Sequence, residues 1–270
     1  MKLATKQKQK KQSGFTMIEL MIAVAIFMII CGAMFSLLGN SQKQFRTESQ
    51  LLASFQEARL GLDQIVRDAG YAGYPPQNHF SVLPLPNQYA IGPLAWQPGY
   101  VAAAPCLIGT AGGGTCLTPS DWDVIFEGDV NDGTGTVSWT RYQLQGTTLF
   151  RGSVPKTALT SAAAATGAAG VMLPYVTNVM NNATPAQIAT FQAAYPAMFP
   201  GGVPQPVFQF TCDTPTGTVL CQNAGASNSP SNVRDVQIRL IVMSRQNDLQ
   251  TNRVRLVELN GRGHRLNPNQ

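Results

Sequence analysis

Ser13-Gly14-Phe15-Thr16-Met17-Ile18-Glu19-Leu20 opens an apolar run that reaches Leu38, and the reading of this stretch decides the fold. Between Phe15 and Leu38 the only clearly polar side chains are Thr16, Glu19 and Ser36. At about 1.5 Å per residue the run spans roughly 36 Å as an α-helix, enough to cross a hydrocarbon core of about 30 Å. Lys2, Lys6, Lys8, Lys10 and Lys11 precede it, whereas only Lys43 and Arg46 follow closely. Basic flanks stay on the cytoplasmic side, so the leader is expected inside and the C-terminal bulk outside. A cleaved secretory signal needs a shorter apolar core followed by a small-residue site. The flank Phe35-Ser36-Leu37-Leu38-Gly39-Asn40 offers no such site.

Glu19 is the anomaly of the run. No cationic residue stands one helical turn to either side, and an ionised carboxylate inside an apolar segment is a functional candidate by default because its insertion is costly. The octapeptide resembles the processing site of type IV prepilins and type II secretion pseudopilins, in which Gly is followed by an aromatic residue and then by Glu at the fifth place after the cut. The resemblance implies that a prepilin peptidase cleaves between Gly14 and Phe15 and that Phe15 is N-methylated. It also gives Glu19 a partner, the new α-amino group of a neighbouring subunit. A carboxylate–ammonium contact in a low-dielectric helix bundle offsets a desolvation that neither group tolerates alone. Gly14 suits a cleavage position because it has no side chain to obstruct the peptidase. Many major pilins carry a Pro inside this helix, whereas here only Gly32 and Gly39 could soften it.

The chain has 270 residues, 44% of them hydrophobic, which is enough for one sizeable domain. Charged residues make up 12%, about half the usual ~25%. With 25 Gly and 18 Pro, this composition points to a loop-rich β domain. The net charge of +5 arises entirely from the five leader lysines; the remaining 14 Lys and Arg balance 14 Asp and Glu. Residues 233–270 still hold seven Arg against Asp235, Asp248 and Glu258. That excess is compatible with nucleic acid but too weak to argue for it, and it reads as strand edges and a solvated tail.

Beyond the apolar run Phe45, Leu52, Phe55, Ala58, Leu62, Ile65 and Ala69 recur at steps of three, four or seven, one stripe of an amphipathic helix. Gly70, Gly73, Pro75 and Pro76 should end it. Strands are predicted at Val124 to Glu127, Val137 to Leu144 and Thr148 to Arg151, the last two joined by a tight turn at Gln145-Gly146-Thr147. Alternating Val236, Ile238, Leu240 and Val242, separated by Gln237, Arg239 and Ile241, predict a strand that Arg253 to Asn260 returns to pair. Residues 153–206 are rich in Ala, Gly and Thr. Within them Thr184-Pro185-Ala186-Gln187 predicts an N-cap, a first-turn Pro and a capping-box Gln, hence a short helix through Ala194. The predicted class is α+β, a pilin-like fold in which a long N-terminal helix packs on an antiparallel sheet. Its expected organisation is a basic leader over 1–14, a transmembrane or fibre-core helix over 15–38, an amphipathic continuation over 39–72 and an exported β-rich head over 73–270.

Tyr71-Ala72-Gly73-Tyr74, the strand and acidic turn from Trp122 to Asp132, Tyr142 to Arg151 and the last hairpin together resemble minor pilins of the PilW kind. That resemblance implies a low-abundance subunit that helps to prime a type IV pilus. Its partners would be major and minor pilins, met through the N-terminal helix, together with the prepilin peptidase, an inner-membrane assembly platform and the membrane itself. The protein would sit in the inner membrane by a single pass with its head in the periplasm, and outside the cell once assembled. A type II secretion pseudopilin shares every N-terminal feature, and a membrane-anchored binding module is the third reading.

Of the five cysteines, Cys31 lies in the apolar helix and acts as a small hydrophobe. Cys106, Cys116, Cys212 and Cys221 fall on the exported side, where disulfides persist. Of the three pairings open to them, the sequence-local one, Cys106 with Cys116 and Cys212 with Cys221, is favoured because each pair brackets a Gly-containing loop. Zinc is the alternative use, without C-x-x-C spacing and with only His79 and His264 to assist. No cofactor and no enzymatic chemistry is expected. Ser153-Val154-Pro155-Lys156 matches S-x-x-K without its companion motifs. Asp129-Val130-Asn131-Asp132-Gly133 resembles the start of a Ca²⁺ loop, but Thr140 stands where the bidentate Glu belongs.

Overall fold

The computed structural model describes residues 14, 16–97, 108, 118–129, 135–158, 160–248 and 253–265. The chain divides into two compact units, Met1–Ser49 and Gln50–Gln270. One helix, α1 (Met17–Tyr71, 55 residues), runs through both. In the first unit its 18-residue apolar window has a mean hydropathy of 2.7 and none of it is buried, so Met17, Ile18, Phe27, Ile29 and Phe35 all face outward. A surface of this kind is stable only against lipid or other helices.

In the second unit α1 supplies Ala58, Leu62, Ile65 and Ala69 to the core. The predicted stripe is therefore correct from Phe55 onward, where Phe55 is partly buried. Leu52 is exposed and so, within the first unit, is Phe45. Periodicity marks an apolar face without saying what covers it.

The rest of the second unit consists of two four-stranded antiparallel sheets where a single sheet was expected. The first is the meander β1 (Asp123–Gly128), β2 (Ser138–Gln145), β3 (Thr148–Pro155) and β4 (Leu173–Thr177), the predicted turn forming at Gly146-Thr147 with Gly146 at φ +58°. The second has the order β6-β5-β7-β8, from β5 (Phe208–Thr214), β6 (Gly217–Leu220), β7 (Val233–Asn247) and β8 (Val254–His264). An antiparallel bridge between Val179 and Val242 links them, flanked by Met180 N donating to Ile241 O at 2.7 Å and Met243 N to Asn178 O at 2.9 Å.

Two short helices lie between the strands of the sheets. α2 (Ala162–Thr166) is capped by Ser161. α3 (Pro185–Ala194) begins at Thr184 with the predicted capping box to Gln187 and with Pro at the start. Ile188 and Phe191 of α3 join Phe199, Met180, Ile241 and Leu256 in a second core. Thus β7 is buried on both faces, Ile238, Leu240 and Val242 toward the main core and Ile241 toward the second, which is why Ile241 breaks the alternation.

α1 approaches both sheets over glycines. A Cβ on Gly61 would stand 2.5 Å from Val176 Cγ2 on β4, and one on Gly261 of β8 would stand 2.7 Å from Val66 Cγ2. One on Gly263 would collide with Ala69. Each fully buried Leu or Ile contributes about 1.5–3 kcal/mol, and the glycines let the helix come near enough to bury them.

Three ion networks bind these layers. Asp68 of α1, nearly buried, accepts from Tyr142 Oη at 2.6 Å, Arg151 Nη2 at 3.1 Å and Gln64 Nε2 at 2.7 Å. Arg151 also lies over the Tyr142 and Tyr175 rings. Burial, together with the Asp68 charge, pushes the Tyr142 phenol far above its ordinary range. Lys156 and Glu127 form a buried pair at 2.8 Å; Lys156 Nζ also donates to Tyr89 O, while Glu127 accepts from Ile91 N and Trp139 Nε1. This fixes the loop before β1. Arg141 grips Asp123 with two hydrogen bonds, at 2.9 and 2.5 Å, across β1 and β2.

Candidate functional site at the start of the first helix

The site is built from Gly14, Thr16 and Glu19 at the first turn of α1; Phe15 lies outside the described residues. Thr16 is the N-cap. Its backbone N and its Oγ1 both donate to Glu19 Oε2 at 2.9 Å, and Glu19 N reaches back to Thr16 Oγ1 at 3.4 Å. This is a reciprocal capping box, and a carboxylate at that end also meets the positive pole of the helix. The signal stands in the sequence as Thr-x-x-Glu, although Glu19 was singled out there for its charge and for its place in the prepilin motif rather than as part of a cap.

Two features of the turn remain unexplained by the folding of one chain. Glu19 takes Thr16 on one carboxylate oxygen, Oε2, while Oε1 has no hydrogen bond and the side chain no ion pair among the described residues. The turn can therefore accept a further donor without giving up its cap. Gly14 has no left-handed backbone to favour it, and a Cβ there would meet nothing within 4 Å. The same open space surrounds Gly32 and Gly39, both inside α1, where Gly lowers helix stability by about 1 kcal/mol relative to Ala.

Of the other residues singled out, Cys212 and Cys221 form a disulfide, with Cα atoms 4.8 Å apart. It ties β5 to the 3-10 turn Cys221–Asn223. Cys106 and Cys116 lie outside the described residues, as do residues 130–133 of the acidic turn. Cys31 is a free thiol on α1. Ser153 and Pro155 lie on β3, and the Lys156 that completes S-x-x-K is held by Glu127. His79 lies edge-on to Tyr74 and Phe80, while His264 contacts Asp235. Most of the C-terminal arginines are paired within the fold: Arg234 with Asp213, Arg239 with Glu258, Arg245 with Glu57, Arg255 with Asp248 and Arg262 with Asp235.

Residues 9–35 match the prokaryotic N-terminal methylation motif, the prepilin signal of type IV pilin-type proteins. No curated protein and no solved structure matches the chain. The motif suggests a type IV pilin-like or pseudopilin-like protein. Among the described residues one helix, near the N-terminus, is long and apolar enough to cross a membrane, which is consistent with membrane anchoring. The long helix with antiparallel sheets in the head is the α+β arrangement of a pilin-like fold.

Proposed function

We propose that the protein is a minor pilin subunit of a type IV pilus. A prepilin peptidase cuts it between Gly14 and Phe15, Phe15 is N-methylated, and the subunit helps to prime fibre assembly. The observation that carries this reading is the methylation motif over residues 9–35, with Glu19 set at the start of an exposed apolar helix. Gly14 supports it, since only an external agent such as a peptidase gives a reason for glycine where the fold gives none.

After the cut, Thr16 is the second residue of the mature chain and still caps Glu19. The free Oε1 meets the α-amino group of a neighbouring subunit as the helices bundle. Gly32 and Gly39, seven residues apart on one face of α1, allow close helix approach, as small residues do in lipid. The head stays on the periplasmic side until the fibre carries it outward. Mass spectrometry of the membrane-extracted protein tests the reading. A mature N-terminus at Phe15 carrying one extra methyl group is expected; a start at Met1, or one beyond Leu38, would refute it.

A further inference from the structure

From Ala69 to Ser120 the chain has no Asp, Glu, Lys or Arg, although its average of 12% charged residues would place about six there. The described part of this stretch also exposes large apolar side chains. Val82 and Ile91 are 79% exposed, Leu83 80% and Leu85 64%. Exposed apolar residues scattered singly are ordinary, but four so close in sequence with no charge among them mark an interaction surface.

This surface is held in place. Leu85 N donates to Gln88 Oε1 and Gln88 N to Leu85 O, both at 2.9 Å, and Asn87 O accepts from Val137 N at 2.9 Å. Pro84 and Pro86 have no N–H and that of Leu85 is taken, so the run offers side chains rather than backbone donors for an added strand. The chain leaves one wall of a cavity of about 620 Å³ at Asn78 and returns to another at Tyr89. That second wall is anchored to the rest of the head: Ala90 N donates to Pro75 O at 2.8 Å, Ile91 N to Glu127 Oε1 at 2.8 Å, and Tyr89 O accepts from Lys156 Nζ at 2.9 Å. Among the described residues Arg265 is the one charged side chain that lines the cavity. It is buried, and its Nη1 donates to Ser231 O at 3.2 Å and Val233 O at 3.0 Å. Gly73, at φ +86°, lines the same cavity; a Cβ there would stand 3.1 Å from Arg265 Nη2 and 3.5 Å from Nε, so glycine keeps a side chain off that edge of the guanidinium. Burial pulls the guanidinium below its ordinary range, with the Asp213 charge opposing the shift.

We propose that this face docks an apolar peptide segment of a partner protein, which sets one carboxylate against Arg265. Charge complementarity picks the occupant, since a single cation in an uncharged, apolar surround matches a segment whose only charge is negative. A carboxylate meets the planar edge of a guanidinium with directed, charge-assisted hydrogen bonds, which fixes how the segment lies. In a site already withdrawn from water the added anion offsets the desolvation of the cation, and a neutral amide of the same shape does not. Leu83, Leu85 and Ile91 then supply apolar contact around that anchor. The volume falls within the roughly 300–1,000 Å³ of small-ligand sites, room for one or two side chains of the segment. Nucleic acid does not fit, because one cation neutralises too few phosphates. The inference rests on the second unit alone and does not depend on the prepilin reading.

The full chain in detergent micelles is titrated with N-acetyl-leucine and with N-acetyl-leucinamide, which share the apolar stem and differ in the carboxylate. The acid is expected to bind the wild type about tenfold more tightly than the amide. Equal binding, or no binding by the acid, overturns the proposal. Arg265→Gln is expected to erase the preference, and a preference that survives overturns it. Because Arg265 also holds two backbone carbonyls, Ile91→Asp supplies a test that spares the fold. Ile91 is exposed at the cavity, and a carboxylate placed there is expected to weaken the acid about tenfold and leave the amide unchanged; unchanged binding of the acid overturns the proposal. Benzoylphenylalanine in place of Leu83 then photocrosslinks the partner in envelope preparations, and mass spectrometry reads the crosslinked peptide. An apolar segment with one Asp, Glu or terminal carboxylate supports the proposal. A cationic segment, a crosslink only to a second copy of this chain or only to lipid, or no crosslink at all overturns it.

Discussion

Glu19 has two possible duties, closing the first turn of its own helix and neutralising a neighbour's amine, and three substitutions separate them because they rank differently under each. Glu19→Gln keeps the capping box, since a carboxamide oxygen still accepts the two 2.9 Å hydrogen bonds from Thr16, but removes the charge. Glu19→Val removes both. Thr16→Ala removes the hydroxyl that donates to Oε2 and accepts from Glu19 N, and leaves the carboxylate. Loss of a cap changes the local helix equilibrium by about fivefold, and the effect frays only the first turn. Loss of the counter-charge leaves a buried ammonium unpaired in the bundle, which lowers association by about a hundredfold or more. Incorporation is therefore expected to fall steeply and about equally in Glu19→Gln and Glu19→Val, and only slightly in Thr16→Ala, while membrane levels of all three match the wild type. Quantitative immunoblotting of sheared fibres against membranes reads this ratio. Wild-type incorporation of Glu19→Gln, or a Thr16→Ala defect as deep as that of Glu19→Val, would show that the carboxylate is only a cap.

Gly39→Leu is expected to be exported and membrane-held normally yet to enter fibres poorly, because the added side chain meets nothing in the free chain and obstructs only a neighbour; incorporation at the wild-type level sinks the close-approach reading. Asp68→Ala strands Tyr142 and the partly exposed Arg151, which should lower the stability of the second unit by about 3 kcal/mol. Urea unfolding followed by near-ultraviolet circular dichroism measures this, and a loss under about 1 kcal/mol would mean that water replaces the network. Asp235 responds to acid. Burial raises its carboxyl, but hydrogen bonds from Arg262 and His264, then the Arg262 charge and the Thr211 hydroxyl, outweigh this and hold it below its ordinary range. Stability from a depressed carboxyl is complete above its unfolded value of about 3.9 and is lost as pH falls through the folded value. Wild-type Tm should therefore drop more than that of Asp235→Asn between pH 5 and pH 3 (about one unit to either side of that value), and parallel curves would contradict the network.

Local signals in the sequence are recovered closely. The β2–β3 hairpin was legible because its turn and alternation are contiguous, and α3 because Thr184, Pro185 and Gln187 spell its start. The end of α1 at Tyr71, two residues before Gly73, likewise follows from residues that break helices. What depends on distant pairing was not legible. β5 pairs with β7 across 21 to 30 positions, and β4 passes its neighbour through a register shift at Leu149 and Phe150, so neither the second sheet nor the short strand has a local pattern to announce it. The first turn of α1 was legible as a motif and the Cys212–Cys221 pair as a short loop.

Glycines show where folding ends and assembly begins. Gly61, Gly261 and Gly263 are each explained inside the chain, because a Cβ on any of them would strike Val176, Leu62, Val66 or Ala69 and hold α1 off its sheets. Gly14, Gly32 and Gly39 have no such explanation, for a Cβ on any of them would meet only open space. Within α1 an unneeded glycine weakens the helix by about 1 kcal/mol, so a fold optimised in isolation would replace Gly32 and Gly39 with alanine. The same division separates the apolar residues. Leu62 and Ile65 are buried by this chain's own strands, whereas Ile18, Phe27 and Phe35 are covered by nothing in it. Glycines without internal cause, the longest run of uncovered apolar side chains and a carboxylate with one oxygen unoccupied fall together between residues 14 and 39. On the proposed function this segment is the surface whose chemistry is completed by lipid, by a processing enzyme and by neighbouring helices, while the second unit buries its core with its own strands.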